Sequence, residues 1–242
     1  MDQRDLSKQL IVEFIGPFAL CFAGIGAIIA TQGQDLVAIA LAHGLAIGLM
    51  ITAAGHISGG HFNPAVTLGF LAARRIGAGL AIAYIAAQLL GGLAGALVAR
   101  SCFPDVAVEA VNGGIPAIGT VLDAPVEAWQ ALLMEAVLTF FLVFVIFGAA
   151  VDGRTGRWIA GLAIGLIISV DILAGGAVSG AAMNPARSLG PQLLERDFSD
   201  VWVWVVGPVV GGILAALLYN DVLYPGAEGT GSPAPEPAEQ FE

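Results

Sequence analysis

The chain has 242 residues, of which 57% are drawn from Ala, Val, Ile, Leu, Met, Phe, Trp, Tyr and Cys, with 33 Gly and only 12% charged residues. Soluble domains carry about 25% charged residues, so a water-soluble globular domain is excluded and most of the chain belongs in a bilayer. The net charge of -10 comes without a basic cluster, which argues against nucleic acid as a partner, and Cys21 and Cys102 match no metal or redox spacing.

The polar start, Met1 to Asp5, precedes no short signal-peptide core, so the first apolar segment is expected to be retained as a span. A spanning helix needs roughly 20 mostly apolar residues. Taken in order, such stretches fall near 9–30, 36–56, 78–99, 127–150, 157–175 and 201–220. Two shorter apolar pieces, 63–72 and 184–194, cannot cross and are expected to be half-helices entering from opposite sides. The basic loop residues Arg4, Lys8, Arg74, Arg75, Arg154 and Arg157 fall on the side of the N-terminus, against Arg100, Arg187 and Arg196 on the other. That bias places both termini in the cytoplasm and gives a multi-pass protein of the cell (plasma or inner) membrane.

The halves repeat. Glu13 opens the first span and Glu135 lies 122 residues on; Gly91-Gly92 matches Gly211-Gly212; Gly44-Leu45-Ala46-Ile47-Gly48-Leu49 matches the stretch from Gly161 to Leu166. Three spans per half is odd, so the second half enters from the opposite face, an inverted repeat. The expected units are 1–126, 127–223 and an acidic, Pro/Gly-rich tail, 224–242, expected to be disordered.

Each short piece begins with Asn-Pro-Ala, at Asn63-Pro64-Ala65 and at Asn184-Pro185-Ala186, and each copy follows a Ser-Gly pair, Ser58-Gly59 and Ser179-Gly180. Asn is a preferred N-cap, and Pro suits the first helical position, where an N–H has no intrahelical partner. A helix start at membrane depth exposes N–H groups and a positive dipole end. Irregular backbone is tolerated there only if buried in protein or lining a wet cavity. Two symmetric starts therefore point to a pore or binding site at the midplane.

Span count, inverted repeat and the doubled motif together resemble the aquaporin (major intrinsic protein) family, in a prokaryotic-looking form, over about residues 8–222. The longest matching stretches run from Gly55 to Thr67 and from Met183 to Ser188. The resemblance implies an all-α membrane protein of six transmembrane helices plus two re-entrant half-helices. It implies a passive channel for water, with no cofactor and no bound metal, assembled as a homotetramer in the lipid bilayer.

It also implies site residues. Asn63 and Asn184 become pore asparagines that cap with the oxygen and offer the NH2 to a passing molecule. Carbonyls of Gly59, Gly60, His61, Gly180, Ala181 and Ala182 become acceptor ladders. Glu13 and Glu135 are expected to accept bonds from N–H groups of the re-entrant loops. The filter is expected at His43, Ile172, Ala181 and Arg187, a set resembling that of plant vacuolar-membrane aquaporins, which generally carry Asn where this chain has Asp171. Ser188 stands where glycerol facilitators typically carry Asp, which argues against a glycerol-type member and leans to water, while Ile172 in place of a filter His, opposite His43, implies a wider opening that also passes small neutral solutes such as ammonia. A broader facilitator for urea, peroxide or glycerol is the alternative. An ion-coupled transporter also uses broken helices but needs clustered acids, and Asp171 stands alone. A metalloenzyme on His56 and His61 lacks a third ligand.

Overall fold

The computed structural model describes residues 3–154 and 156–224. The predicted tail from residue 225 onward lies outside the described residues. Among the described residues, six helices are long and apolar enough to cross a membrane. They are α1 (Gln3–Thr31), α2 (Leu36–Ser58), α4 (Ala78–Ser101), α6 (Ala128–Ile146, extended by a wider turn at Phe147–Val151), α7 (Ala160–Ser179) and α9 (Val203–Leu217, extended through Leu218–Leu223). The short pieces are α3 (Pro64–Ala72) and α8 (Pro185–Glu195), and a one-turn helix α5 (Asp105–Glu109) lies in the connection after α4.

Two boundaries differ most from the sequence reading. Helix α1 starts earlier than residue 9, with Lys8 and Asp5 forming an exposed i,i+3 pair at 3.6 Å in its first turns. Helix α7 runs on to Ser179 through Gly175 and Gly176. Gly175 is not a break but a contact: a Cβ there would come 2.5 Å from Leu138 Cδ1 of α6. A two-residue hairpin, Thr120–Val121 paired with Ala124–Pro125, was not expected from the sequence.

The packing obeys the inverted repeat. Helix α1 packs on α2 and α4, and its counterpart α6 packs on α7 and α9. The half-helices exchange partners: α3 lies against α9 of the second half and α8 against α4 of the first. Small residues make these approaches possible. An added Cβ at Gly91 would overlap the Phe14 carbonyl, and one at Gly211 would overlap the Ala136 carbonyl. Helices α2 and α7 cross where Gly44 and Gly48 meet Gly165 and Gly161, as is usual where membrane helices approach by van der Waals packing. The outward faces carry Leu45, Leu49, Leu162 and Leu166, while a set of polar side chains, among them Glu13, Asn63, Gln88, Glu135 and Arg187, is buried within an otherwise apolar interior.

Candidate functional site

The two Asn-Pro-Ala copies start their helices as their chemistry requires. Asn63 Oδ1 accepts from Ala65 N at 2.8 Å, and Asn184 Oδ1 accepts from Ala186 N at 2.9 Å and Arg187 N at 3.4 Å. Both asparagines have extended backbone, and the prolines fill the first helical position. The carboxamide nitrogens then cross between the halves. Asn63 Nδ2 donates to the Met183 carbonyl at 2.8 Å, and Asn184 Nδ2 donates to the Phe62 carbonyl at 2.9 Å. An amide nitrogen has two hydrogens, so each asparagine uses one to brace the opposite loop and retains one. Phe62 and Met183 were not singled out in the sequence. Their part depends on which backbone faces the other half-helix, and no local pattern carries that.

The loops are held by buried acids. Glu13 Oε1 accepts from Ser58 Oγ at 2.7 Å and His61 N at 2.9 Å, and its Oε2 accepts from Phe62 N at 2.8 Å and Gln88 Nε2 at 2.7 Å. Glu135 Oε1 accepts from Ser179 Oγ at 2.7 Å and Ala182 N at 2.9 Å, and its Oε2 accepts from Met183 N at 2.7 Å. Both glutamates are wholly buried. Such bonds offset local strain. Phe62 and Met183 each hold φ at 52°, and Ala181 at 44°, a left-handed conformation costing non-glycine residues roughly 1–2 kcal/mol.

Between the loops lies a narrow cavity whose water-accessible volume is about 30 Å³. His43, Ile172 and Ala181 from the expected filter line it, with Asn63, Asn184, Gly60, His61 and Ala182. Much of the remaining wall is aliphatic, including Ile47, Leu142, Ile146, Ile164 and Ile168. Three expected residues are not in this lining. Gly59 and Gly180 are the left-handed caps of α2 and α7, with φ of 96° and 74°, donating back to the Gly55 and Gly176 carbonyls. Arg187 is 3% exposed, and its Nη1 donates to the Gly114 carbonyl at 3.2 Å. Gly114, in the connection between α4 and α6, was not expected to take part.

Two imidazoles face the cavity with defined hydrogens. His43 Nδ1 lies 2.8 Å from the Ile39 carbonyl, which can only accept. The neutral ring therefore carries its hydrogen on Nδ1 and presents Nε2 as an acceptor. Gly24 makes room for that ring, since a Cβ there would overlap it. His61 Nδ1 lies 3.1 Å from Thr67 Oγ1, whose own hydrogen goes to the Asn63 carbonyl at 3.0 Å. His61 therefore donates to Thr67. Gln88 Nε2 donates to the same hydroxyl at 2.9 Å. The result is a continuous chain from the cavity wall to Glu13.

The wall combines a few fixed polar groups with aliphatic surface, at the meeting point of two positive helix ends. That arrangement suits passage of neutral hydrogen-bonding molecules and disfavours cations. Residues 1–219 match the family described as Major intrinsic protein. Aquaporin TIP4-4 of Zea mays is 42% identical over 246 residues, covering 97% of this chain and 93% of that protein. Aquaporin NIP1-1 of Oryza sativa subsp. japonica is 41% identical over 221 residues, covering 90% of this chain and 75% of that protein. Among solved structures, the X-ray structure of the aquaglyceroporin from Plasmodium falciparum matches with a TM-score of 0.81 at 26% identity, covering 91% of this chain and 98% of that one. The chain belongs to the major intrinsic protein family and is a membrane channel for water or small neutral solutes, not an enzyme.

Proposed function

We propose that this chain is a passive water channel that also passes ammonia, with a filter formed by His43, Ile172, Ala181 and Arg187. The observation that carries the reading is the pair of cross-braced asparagines. Each keeps one N–H hydrogen beside a cavity whose remaining wall is largely aliphatic. A molecule at the centre accepts from those N–H groups in turn, and each oxygen is already committed to its own half-helix. Water and ammonia both supply the lone pair that this requires. Carbonyls of Gly60, His61, Ala181 and Ala182 serve as acceptors along the wall, and Arg187 supplies a fixed positive charge at the filter. The protein works as a homotetramer with one pore per protomer, in the cell membrane, with both termini in the cytoplasm.

The abundance of isoleucine along the wall also favours a broader facilitator that passes urea, peroxide or glycerol. Stopped-flow light scattering on proteoliposomes under parallel water, ammonia, urea and glycerol gradients separates the readings. Water and ammonia flux above lipid controls, with glycerol flux at the control level, is the expected result. Glycerol flux equal to that of ammonia would overturn the narrower reading. A flux dependent on an ion gradient would overturn the channel mechanism.

A further inference from the structure

The two buried glutamates are not equally satisfied. In the first half, Gln88 Nε2 lies between two acceptors, Glu13 Oε2 at 2.7 Å and Thr67 Oγ1 at 2.9 Å. The inverted repeat gives the counterparts in the second half: Glu135 for Glu13, Ser188 for Thr67 and Pro208 for Gln88. Proline has no side-chain donor. Glu135 Oε2 consequently takes one hydrogen bond, from Met183 N, where Glu13 Oε2 takes two. Ser188 spends its hydrogen on the Pro185 carbonyl at 3.2 Å, which leaves its lone pairs available. Ala182 stands where the first half has His61, whose ring packs 4.3 Å from that of Phe70. The second half therefore keeps the two acceptors but lacks both the carboxamide and the imidazole that fill the space around them in the first.

A second observation points to the same place. Gln192 is wholly buried, and neither Oε1 nor Nε2 has a hydrogen-bond partner among the described residues. It lies four residues after Ser188, on the same face of α8. Leaving a buried polar group unpaired costs about 1–3 kcal/mol. Glu135, Ser188 and Gln192 are each 0% exposed, so bulk solvent cannot supply the partner. A buried water typically makes about three such bonds.

We propose that a structural water bridges Glu135 Oε2 and Ser188 Oγ, in the place that the Gln88 nitrogen fills in the first half, with the Gln192 carboxamide completing its shell. Water meets the need because it donates two hydrogens, one to each acceptor, and accepts from the Gln192 amide. The site lies behind the cavity wall rather than on it. It supports the carboxylate that holds Ala182 and Met183, and so it positions the segment that follows the filter residue Ala181.

The test is a structure of the purified full-length protein at a resolution that shows ordered water, together with the same structure for Pro208→Gln. The wild type should show a water within hydrogen-bond distance of both Glu135 Oε2 and Ser188 Oγ. In Pro208→Gln the new carboxamide should replace it. A wild-type map without that water, or a variant that retains it beside an inserted amide, would overturn the proposal. Gln192→Leu supplies a solution readout, because this residue lies outside the cavity lining. With a water on the amide, the change removes a partner and should lower the melting temperature. An unchanged or raised melting temperature would show that the amide has no such partner.

Discussion

Tyr84 and Trp204, 120 residues apart, make the same hydrogen bond in the two halves of the molecule: the Tyr84 hydroxyl donates to the Ser58 carbonyl at 2.7 Å, and the Trp204 indole N–H donates to the Ser179 carbonyl at 2.8 Å. Each carbonyl lies at the point where a long helix gives way to a re-entrant loop, just before a left-handed glycine. Two different aromatics meet one backbone need. Both rings are large and buried, and each carries a donor at its edge, so one residue fills volume and satisfies the carbonyl.

Tyr84→Phe and Trp204→Phe should therefore each destabilise the channel by about 1–3 kcal/mol, the cost of an unsatisfied buried acceptor. Thermal unfolding in detergent measures this. Because Tyr84 and Trp204 lie outside the cavity lining, the relative permeabilities of water and ammonia should be unchanged. A variant with wild-type stability and an altered permeability ratio would place that aromatic in the pore.

The glutamates should behave alike in kind and differ in degree. Glu13→Ala frees four donors and Glu135→Ala frees three. Each unpaired backbone N–H costs roughly 1–3 kcal/mol when no water can reach it. Both variants should show reduced folded yield and thermal stability, with Glu13→Ala affected more. Full stability in detergent combined with lost permeability would instead give the carboxylate a direct part in conduction.

Much of this was legible in the sequence because the decisive signals are local. Asn63 and Asn184 are caps with Pro directly after them, and cap chemistry lies within a few residues. Glu13 and Glu135 were conspicuous as acids inside apolar spans. The partners they serve were less visible. Gln88, Tyr84 and Thr67 are unremarkable residues in an apolar context, and they become a network only when α1, α3 and α4 are brought together. The asparagine cross-bonds to Phe62 and Met183 join residues some 120 positions apart, and backbone carbonyls leave no mark on the sequence. The fifth span was expected to end at residue 175, but α7 continues to Ser179, with Gly175 packed against Leu138 of α6, a tertiary contact that outweighs the low helix propensity of glycine.

Cysteine placement gives a third prediction. Cys21 is wholly buried among Ile25, Ile29 and Ala96, and Cys102 is exposed at the end of α4. Neither lines the cavity. Mercurials should leave water flux in wild-type proteoliposomes nearly unchanged. Ala181→Cys puts a thiol on the cavity wall and should create a block that a reducing thiol reverses. Strong inhibition of the wild type, removed by Cys21→Ser, would mean that Cys21 is reachable from the pore.

Arg187→Val tests the electrostatic barrier. The guanidinium is buried, tied to the Gly114 carbonyl, and set one turn into α8 near its positive end. Removing it should raise cation leak in planar bilayers by more than it changes water flux, since a neutral permeant does not sense the lost charge directly. The half-helix dipoles remain, so exclusion should weaken rather than vanish. Unchanged leak in a correctly folded variant would assign the barrier to the dipoles alone.

The last prediction concerns which neutral molecules pass. Ile172 and His43 both line the cavity, and His43 Nδ1 is committed to the Ile39 carbonyl. The His43 ring therefore offers one acceptor, and Ile172 offers neither donor nor acceptor. A permeant at this level finds a partly apolar wall that returns few hydrogen bonds for those it gives up, so selection here rests on the width that Ile172 leaves, and that width admits ammonia beside water. Ile172→His would add a second ring with its own donor, narrowing the passage and ordering water there. Ammonia flux should fall by more than water flux, measured side by side in the same vesicles by a pH-sensitive dye and by light scattering. The double variant Ile172→His with His43→Ala should recover width, and with it part of the ammonia flux. If single and double variants lose both fluxes in equal proportion, the change acts through folding or pore collapse, and the discrimination lies at another level of the channel.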